Sequence, residues 1–293
     1  MSESGGDIIS VRGGDFVGIR TVAALGITLK VLEQIDESKQ IFDKGVTAFP
    51  TSVYCRMERW SNLAALAFRR DPNEALKYLR RILGEVGDQI SLLDRIHTEV
   101  DVAMALFLAK RWDEAAIQAT RGVNLADANG IPAQGARARN ILGCISWCRG
   151  YLDDALIILD RAVLDAERSY MERFLWRFRV NLASVAIDAG QLSTALANAR
   201  WAEDRLVRAR GSRWVHLGSA GSHVTSRWYV ALLAIGLIYY RCGAIDDAQR
   251  LLQEVAALPN FAQHLQLLLA AQFPAEIFDG TTHLHADRIM ITG

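Results

Sequence analysis

The chain has no excess charge of either sign: 33 Lys and Arg balance 33 Asp and Glu over 293 residues. No global field draws in nucleic acid or an anionic membrane, so electrostatic recognition has to be local. Cysteine is scarce, and Cys55, Cys144, Cys148 and Cys242 all fall in segments with a helical pattern, not in the loops of a bridged secreted scaffold. Reduced thiols are expected, serving as small apolar side chains. Cys144 and Cys148 stand four apart, but no neighbouring Cys or His completes a tetrahedral zinc set. Long apolar runs are also missing. The longest, Trp228 to Tyr240, is closed by Arg227 and Arg241 and is shorter than the ~20 residues of a membrane-spanning helix. The first residues lack a basic stretch followed by an apolar one, so no secretory signal is read and a soluble cytoplasmic protein is expected. Catalytic signatures are lacking too: there is no nucleophile elbow, P-loop, dinucleotide glycine pattern or His-Glu-x-x-His. No enzyme activity, cofactor or metal is expected. His283 and His285 could meet His216 and His223 at a metal, but nothing in the sequence brings them together.

What the chain does have is a repeat. Ala75, Ala115, Ala155 and Ala195 are 40 residues apart, and Ala103, Gly143 and Ala183 stand twelve positions before the last three. The pair recurs at Gly26/Ser38 and Gly236/Ala248, which makes six units over 18–258. Periods of this size mark solenoids, whose units bury their apolar faces by stacking on their neighbours. Each unit reads as two helices joined by a tight turn, clearest at Arg149-Gly150-Tyr151-Leu152-Asp153-Asp154-Ala155. There Gly150 suits a left-handed C-cap, and the two aspartates suit both cap and dipole of the next helix. Gly143 and Ala155 are expected to be matching flat surfaces at the helix crossing. From Ala195 to Ala248 the spacing is 53, so about 13 extra residues fall within 209–222, where Gly211, Gly218 and Gly221 indicate a loop. Outside the period lie 1–17, a leader or short hairpin; 259–273, a capping helix; and 274–293, an irregular tail.

Leu25-Gly26, Ser38, Phe42 and Pro50 resemble the tetratricopeptide repeat pattern, and Val102-Ala103, Leu142-Gly143, Leu182-Ala183 and Ile235-Gly236 repeat its core pair. The resemblance implies an all-α, right-handed α-solenoid of helix-turn-helix repeats. The 40-residue period is similar to the long-helix variety in bacterial regulators like the maltose-regulator sensor domain. In such arrays the first helix of each unit lines a concave groove. Aligning the units on their alanines then puts His97, Arg137 and Arg177 in one column, with Asn140 and Asn181 beside it. The column resembles the carboxylate clamp with which some members of the family hold a peptide terminus, although Ile141 stands where a polar partner is expected. Asp101, Ser184, Asp188 and Arg241 are its polar neighbours. Met104, Phe107, Trp147 and Tyr240 are the large apolar ones, with Phe107 and Trp147 expected to pack between helices.

A second candidate site is the insertion. Arg205, Arg208, Arg210, Arg213 and Arg227 occur in a stretch free of acidic residues, interleaved with Trp214, His216 and His223. Arginine and tryptophan together could hold a phosphate-bearing ligand or an acidic partner segment. The reading that follows is a scaffold binding a protein partner's peptide or helix in the groove. The alternative is a sensor of a small anionic ligand or peptide, acting with a separate signalling or transcription subunit. A homo-oligomer formed through uncapped solenoid ends is a third expectation.

Overall fold

The computed structural model describes residues 21–22, 24–26, 35–68, 71–210, 232 and 234–256, and every regular element among them is helical. The elements are α1 (Ile35–Ala48), α2 (Val53–Ala67), α3 (Pro72–Val86), α4 (Leu92–Leu108) and α5 (Trp112–Ala128). They continue with α6 (Pro132–Cys148), α7 (Leu152–Arg168), α8 (Glu172–Asp188), α9 (Leu192–Arg210), α10 (residues 234–241) and α11 (Ile245–Ala256). From α1 to α9 each helix packs on the next, and in addition α4 touches α6 and α6 touches α8. The first helices of successive repeats thus form one inner layer. The arrangement is the all-α solenoid of helix-turn-helix units that the repeat implied.

Between Leu92 and Asp188 the backbone is more regular than the sequence. Five helices of 17 residues follow one another. Each ends in a left-handed residue, at Lys110, Gly130, Gly150, Tyr170 and Gly190, so the backbone period is 20 while the side-chain period is 40. The amide after each left-handed residue donates to a carbonyl five residues back, for example Tyr151 to Ser146 at 2.9 Å and Gln191 to Ala186 at 2.7 Å. This satisfies carbonyls that the helix end would otherwise orphan. Gly243 repeats the device after α10, with Ala244 donating to Tyr239. Helix starts are less uniform. Ser52, Asp71 and Ser91 cap α2, α3 and α4 with their side chains, whereas Arg111, Ile131, Tyr151 and Met171 provide no side-chain cap. Asp153 and Asp154 therefore serve α7 through the helix dipole, not as caps.

The crossing within each hairpin is also not the one expected. A Cβ on Gly143 would lie 2.5 Å from Cγ of Leu159, so the flat surface of Gly143 is filled by Leu159 and not matched to Ala155. Gly26 stands in the same relation to Phe42, again sixteen residues on, and Ser38 Oγ donates to the Gly26 carbonyl at 2.8 Å. Where the first position is alanine, at Ala103 and Ala183, the position sixteen later is alanine as well, Ala119 and Ala199, all fully buried. A large side chain on one side of the crossing is thus accommodated by a glycine on the other, and alanine is met by alanine. Leu63 and Leu79 depart from this pattern, and Leu63 is only half-buried.

The core is a continuous ribbon in three overlapping clusters, the first from Met57 to Ile145, the next from Ala136 to Val185 and the last from Val180 to Leu251. Cys55 and Cys144 are buried within helices, while Cys148 is half-buried and Cys242 lies in the turn after α10, outside the helix assigned to it from sequence. Helix α9 continues through Arg210, so Ala209 and Arg210 are helical and not part of a loop. The leader 1–17, the remainder of the insertion, the capping helix 259–273 and the tail 274–293 lie outside the described residues. Among the described residues no helix is long and apolar enough to cross a membrane.

Two outcomes are expected. Gly143→Ala gains helix propensity of ~1 kcal/mol but meets the immobile Leu159, so a net loss of ~1–2 kcal/mol should be read by urea unfolding. Adding Leu159→Ala recreates the Ala103/Ala119 arrangement, so the pair should lose less than the sum of the single variants. Additivity of the two would sink this pairing. Tyr170, left-handed at φ 53° and 89% exposed, should give way to glycine with a gain of about 1 kcal/mol, seen as a higher Tm.

Candidate partner-binding groove

Helical spacing gives α4 two working faces. His97, Asp101 and Met104 lie on the face toward α6 and the inner layer, and Glu99, Val102 and Leu106 lie roughly opposite. On the inner face the side chains close a ring. Arg137 donates to Asp101 Oδ1 at 2.5 Å and to Gln134 Oε1 at 3.0 Å. The Gln134 amide is 3.4 Å from His97 Nδ1, and His97 Nε2 is 3.3 Å from Asp101 Oδ2. Donors and acceptors match around the loop when His97 carries its proton on Nε2, a tautomer assigned from this network. The ring joins α4 to α6 across one repeat boundary.

Burial works against ionisation of Asp101, but the Arg137 guanidinium and the His97 hydrogen bond more than offset it and hold the carboxyl well below the usual carboxylate range. Asp101 therefore stays ionised and acts as an acceptor; it has no proton to offer as a general acid at neutral pH.

Farther along the layer, Phe174 on α8 has two guanidiniums near its ring. Arg137 is 5.9 Å and Arg177 is 5.6 Å from its ring centroid, and Arg177 also lies 5.2 Å from Trp176. Asn181 donates to Asn140 at 3.0 Å in a buried link between α8 and α6. Ser184 is buried and donates to the Val180 carbonyl at 2.9 Å. Asp188 accepts from Trp147 Nε1 at 2.6 Å and from Arg241 at 2.8 Å, so one carboxylate ties α6, α8 and α10 together. Trp147 is fully buried and Phe107 nearly so, as packing residues.

The candidates from sequence therefore divide. His97, with a side chain 52% exposed, and Tyr240, 62% exposed, are on the surface. Arg137, Asp101, Asp188 and Arg241 are spent largely on one another, and Asn140, Asn181 and Ser184 are buried. These three correct the expected exposed column: the inner helices pack so closely that their polar groups meet each other before any partner. Gln134 and Phe174 are additions, and the alanine register that aligned His97 with Arg137 and Arg177 also aligns them, three residues earlier. In the arginine-rich segment, Arg208 pairs with Asp204 at 2.8 Å and Arg205 stacks 5.0 Å from Trp201, so an acid just ahead of the acid-free stretch neutralises part of it. Arg210 ends α9, while Arg213, Trp214 and His216 lie outside the described residues.

The described residues form an α-solenoid of stacked helix-turn-helix units. No protein-family model and no curated protein sequence matches the chain. Among solved structures it is similar to BtubC from P. vanneervenii, at 16% identity and TM-score 0.56, over 78% of this chain and 92% of that one. It is similar also to a Rap protein complexed with competence and sporulation factor, at 10% identity and TM-score 0.59, over 89% and 78% of the two chains. A third is the Rap conjugation gene regulator of the plasmid pLS20 in complex with a Phr peptide, at 12% identity and TM-score 0.58, over 97% and 83%. At these identities the likeness is one of fold.

Asp101→Asn should remove the charge that holds Arg137 and cost about 1–3 kcal/mol at neutral pH. Because the folded-state carboxyl ionises below its ordinary value of 3.8, the stabilisation is complete above that value and is lost as the pH falls below it. Urea unfolding at pH 7 and pH 3 should show the gap between wild type and variant narrowing in acid; a constant gap would contradict the assignment.

Proposed function

We propose that the chain is a non-enzymatic protein-interaction scaffold whose inner layer takes an extended segment or a helix from a protein partner. The observation that carries this reading is the Phe174 platform, flanked by Arg137 and Arg177 and continued by the hydrogen-bonded ring to the exposed His97. Guanidiniums held by stacking and by a ring lose little freedom on binding, which favours recognition of a carboxylate or a backbone carbonyl in a peptide. Aromatic faces beside arginine are the composition of binding hot spots. Tyr240 on α10 is a further exposed aromatic side chain. Two of the similar structures are, by their own descriptions, complexes, one with competence and sporulation factor and one with a Phr peptide. That is consistent with the same use of the fold here.

Selection of a displayed random peptide library against the full chain tests this. Enriched peptides should bind in solution, and His97→Ala/Tyr240→Ala, two exposed sites whose change should leave the fold intact, should weaken them by about tenfold or more. Failure to enrich any peptide, or undiminished binding by the folded double variant, would refute the groove as the site.

A further inference from the structure

The outer face of α4 carries a cleft that the groove does not use. It has a volume of about 400 Å³ and lies over α4 between the second helices α3 and α5, with Leu83, Val102, Leu106 and Ile117 as its apolar surface. The size is within the range of small-molecule sites.

The repeat register explains why this boundary differs from the next two. In α6 and α8 the equivalent first-helix positions are Arg139 and Arg179, and each reaches back to an acid near the end of the preceding second helix, Asp127 and Glu167. At α4 the arginine is replaced by Glu99 and the acid by Gly87, so the inter-repeat bridge is missing at this register position. Glu99, its side chain 4% exposed, turns instead to its own repeat. It pairs with Arg121 at 3.2 Å and accepts from Gln118.

The charges around the cleft do not cancel. Glu99 is compensated by Arg121, and Glu114 by the two hydrogen bonds it accepts from Arg111 at 2.7 and 2.6 Å. The lining thus holds three guanidiniums, Arg80, Arg95 and Arg121, against two carboxylates, Glu99 and Glu114, and Arg80 also lies close enough to Glu114 to help lower its pKa. Arg80 has no hydrogen bond or ion pair among the described residues, and Arg95 has only Asp88, at 3.6 Å and 98% exposed. An excess of positive charge above an apolar floor is complementary to one kind of occupant. We propose that this cleft is a second binding site, for a small organic carboxylate: its acid group answers Arg80 and Arg95, and its apolar body covers Leu83, Val102, Leu106 and Ile117. A bare inorganic anion would leave the apolar surface wet, and a neutral apolar molecule would leave the guanidiniums unanswered.

The test uses octanoate and its neutral amide, octanamide, titrated into the full chain while the Ile117 methyl resonance and the Tm are followed. Octanoate should give a saturable shift at Ile117 and a raised Tm, with octanamide at least about tenfold weaker, a gap of ~1.4 kcal/mol. Arg80→Gln/Arg95→Gln should lower octanoate affinity by a similar factor, and Ile117→Glu should do so without touching either arginine. Inorganic phosphate should not compete at equal concentration. Equal binding of acid and amide, wild-type affinity in both folded variants, or no saturable shift up to about 10 mM octanoate would each overturn the proposal. A peptide bound in the groove should be unaffected by the cleft variants, so the two sites can fail independently.

Discussion

The array depends on close approach where the two helices of a hairpin cross. Gly143 opposes Leu159 and Gly26 opposes Phe42, whereas Ala103 and Ala183 share their register with Ala119 and Ala199. In either arrangement a small residue on the first helix lets the second helix pack closely against it. Equal hairpins stack with equal offsets, so helices of constant length and turns of constant shape can follow one another from Leu92 to Asp188. The left-handed residue closing each helix supports this regularity so strongly that Lys110 and Tyr170 adopt the conformation without being glycine. The strain costs ~1 kcal/mol per site and is outweighed by a turn that keeps the next helix in register.

Close stacking has a consequence for chemistry. First helices that touch along α4, α6 and α8 bring polar side chains of neighbouring repeats within hydrogen-bonding distance, and most of them satisfy one another. The Asp101 ring, the Asn140–Asn181 link and the Asp188 junction are stitches between repeats, each holding several donors at fixed angles. Networks of this kind rigidify a layer when all members are satisfied. His97 and Tyr240 lie at the surface of this layer.

The outer face follows the opposite logic. There the inter-repeat bridges Arg139–Asp127 and Arg179–Glu167 cross the clefts between second helices. With Glu99 and Gly87 at one boundary such a bridge is missing and the buried Glu99 pairs with the half-exposed Arg121 of its own repeat, leaving a cleft with one positive charge in excess. One helix, α4, thus supplies a saturated hydrogen-bond ring to one face and an apolar, cation-rimmed floor to the other. Its 3.6-residue period keeps the two sets of side chains apart.

The recurrence of small residues forty apart was enough to specify an all-helical solenoid, the pairing of its helices and the places of its turns, because each of these is a local demand repeated in every unit. Gly150 and Gly190 mark left-handed turns through their own chemistry, and Asp71-Pro72 marks a helix start in the same way. Equal register means equal azimuth on stacked helices, which is why His97, Arg137 and Arg177 read as one column. Which groups would be spent and which exposed was not legible. Asn140 and Asn181 read as polar, and only the distance between α6 and α8 turns them into a buried pair. The partner of Gly143 could not be chosen between Ala155 and Leu159 from spacing, because the crossing angle selects the contact. Glu99 carries no signal of burial in the sequence, and the packing of α3 and α5 over α4 places it in the lining of a cleft. Local chemistry is carried by the residue itself, whereas burial and complementarity belong to the space between helices.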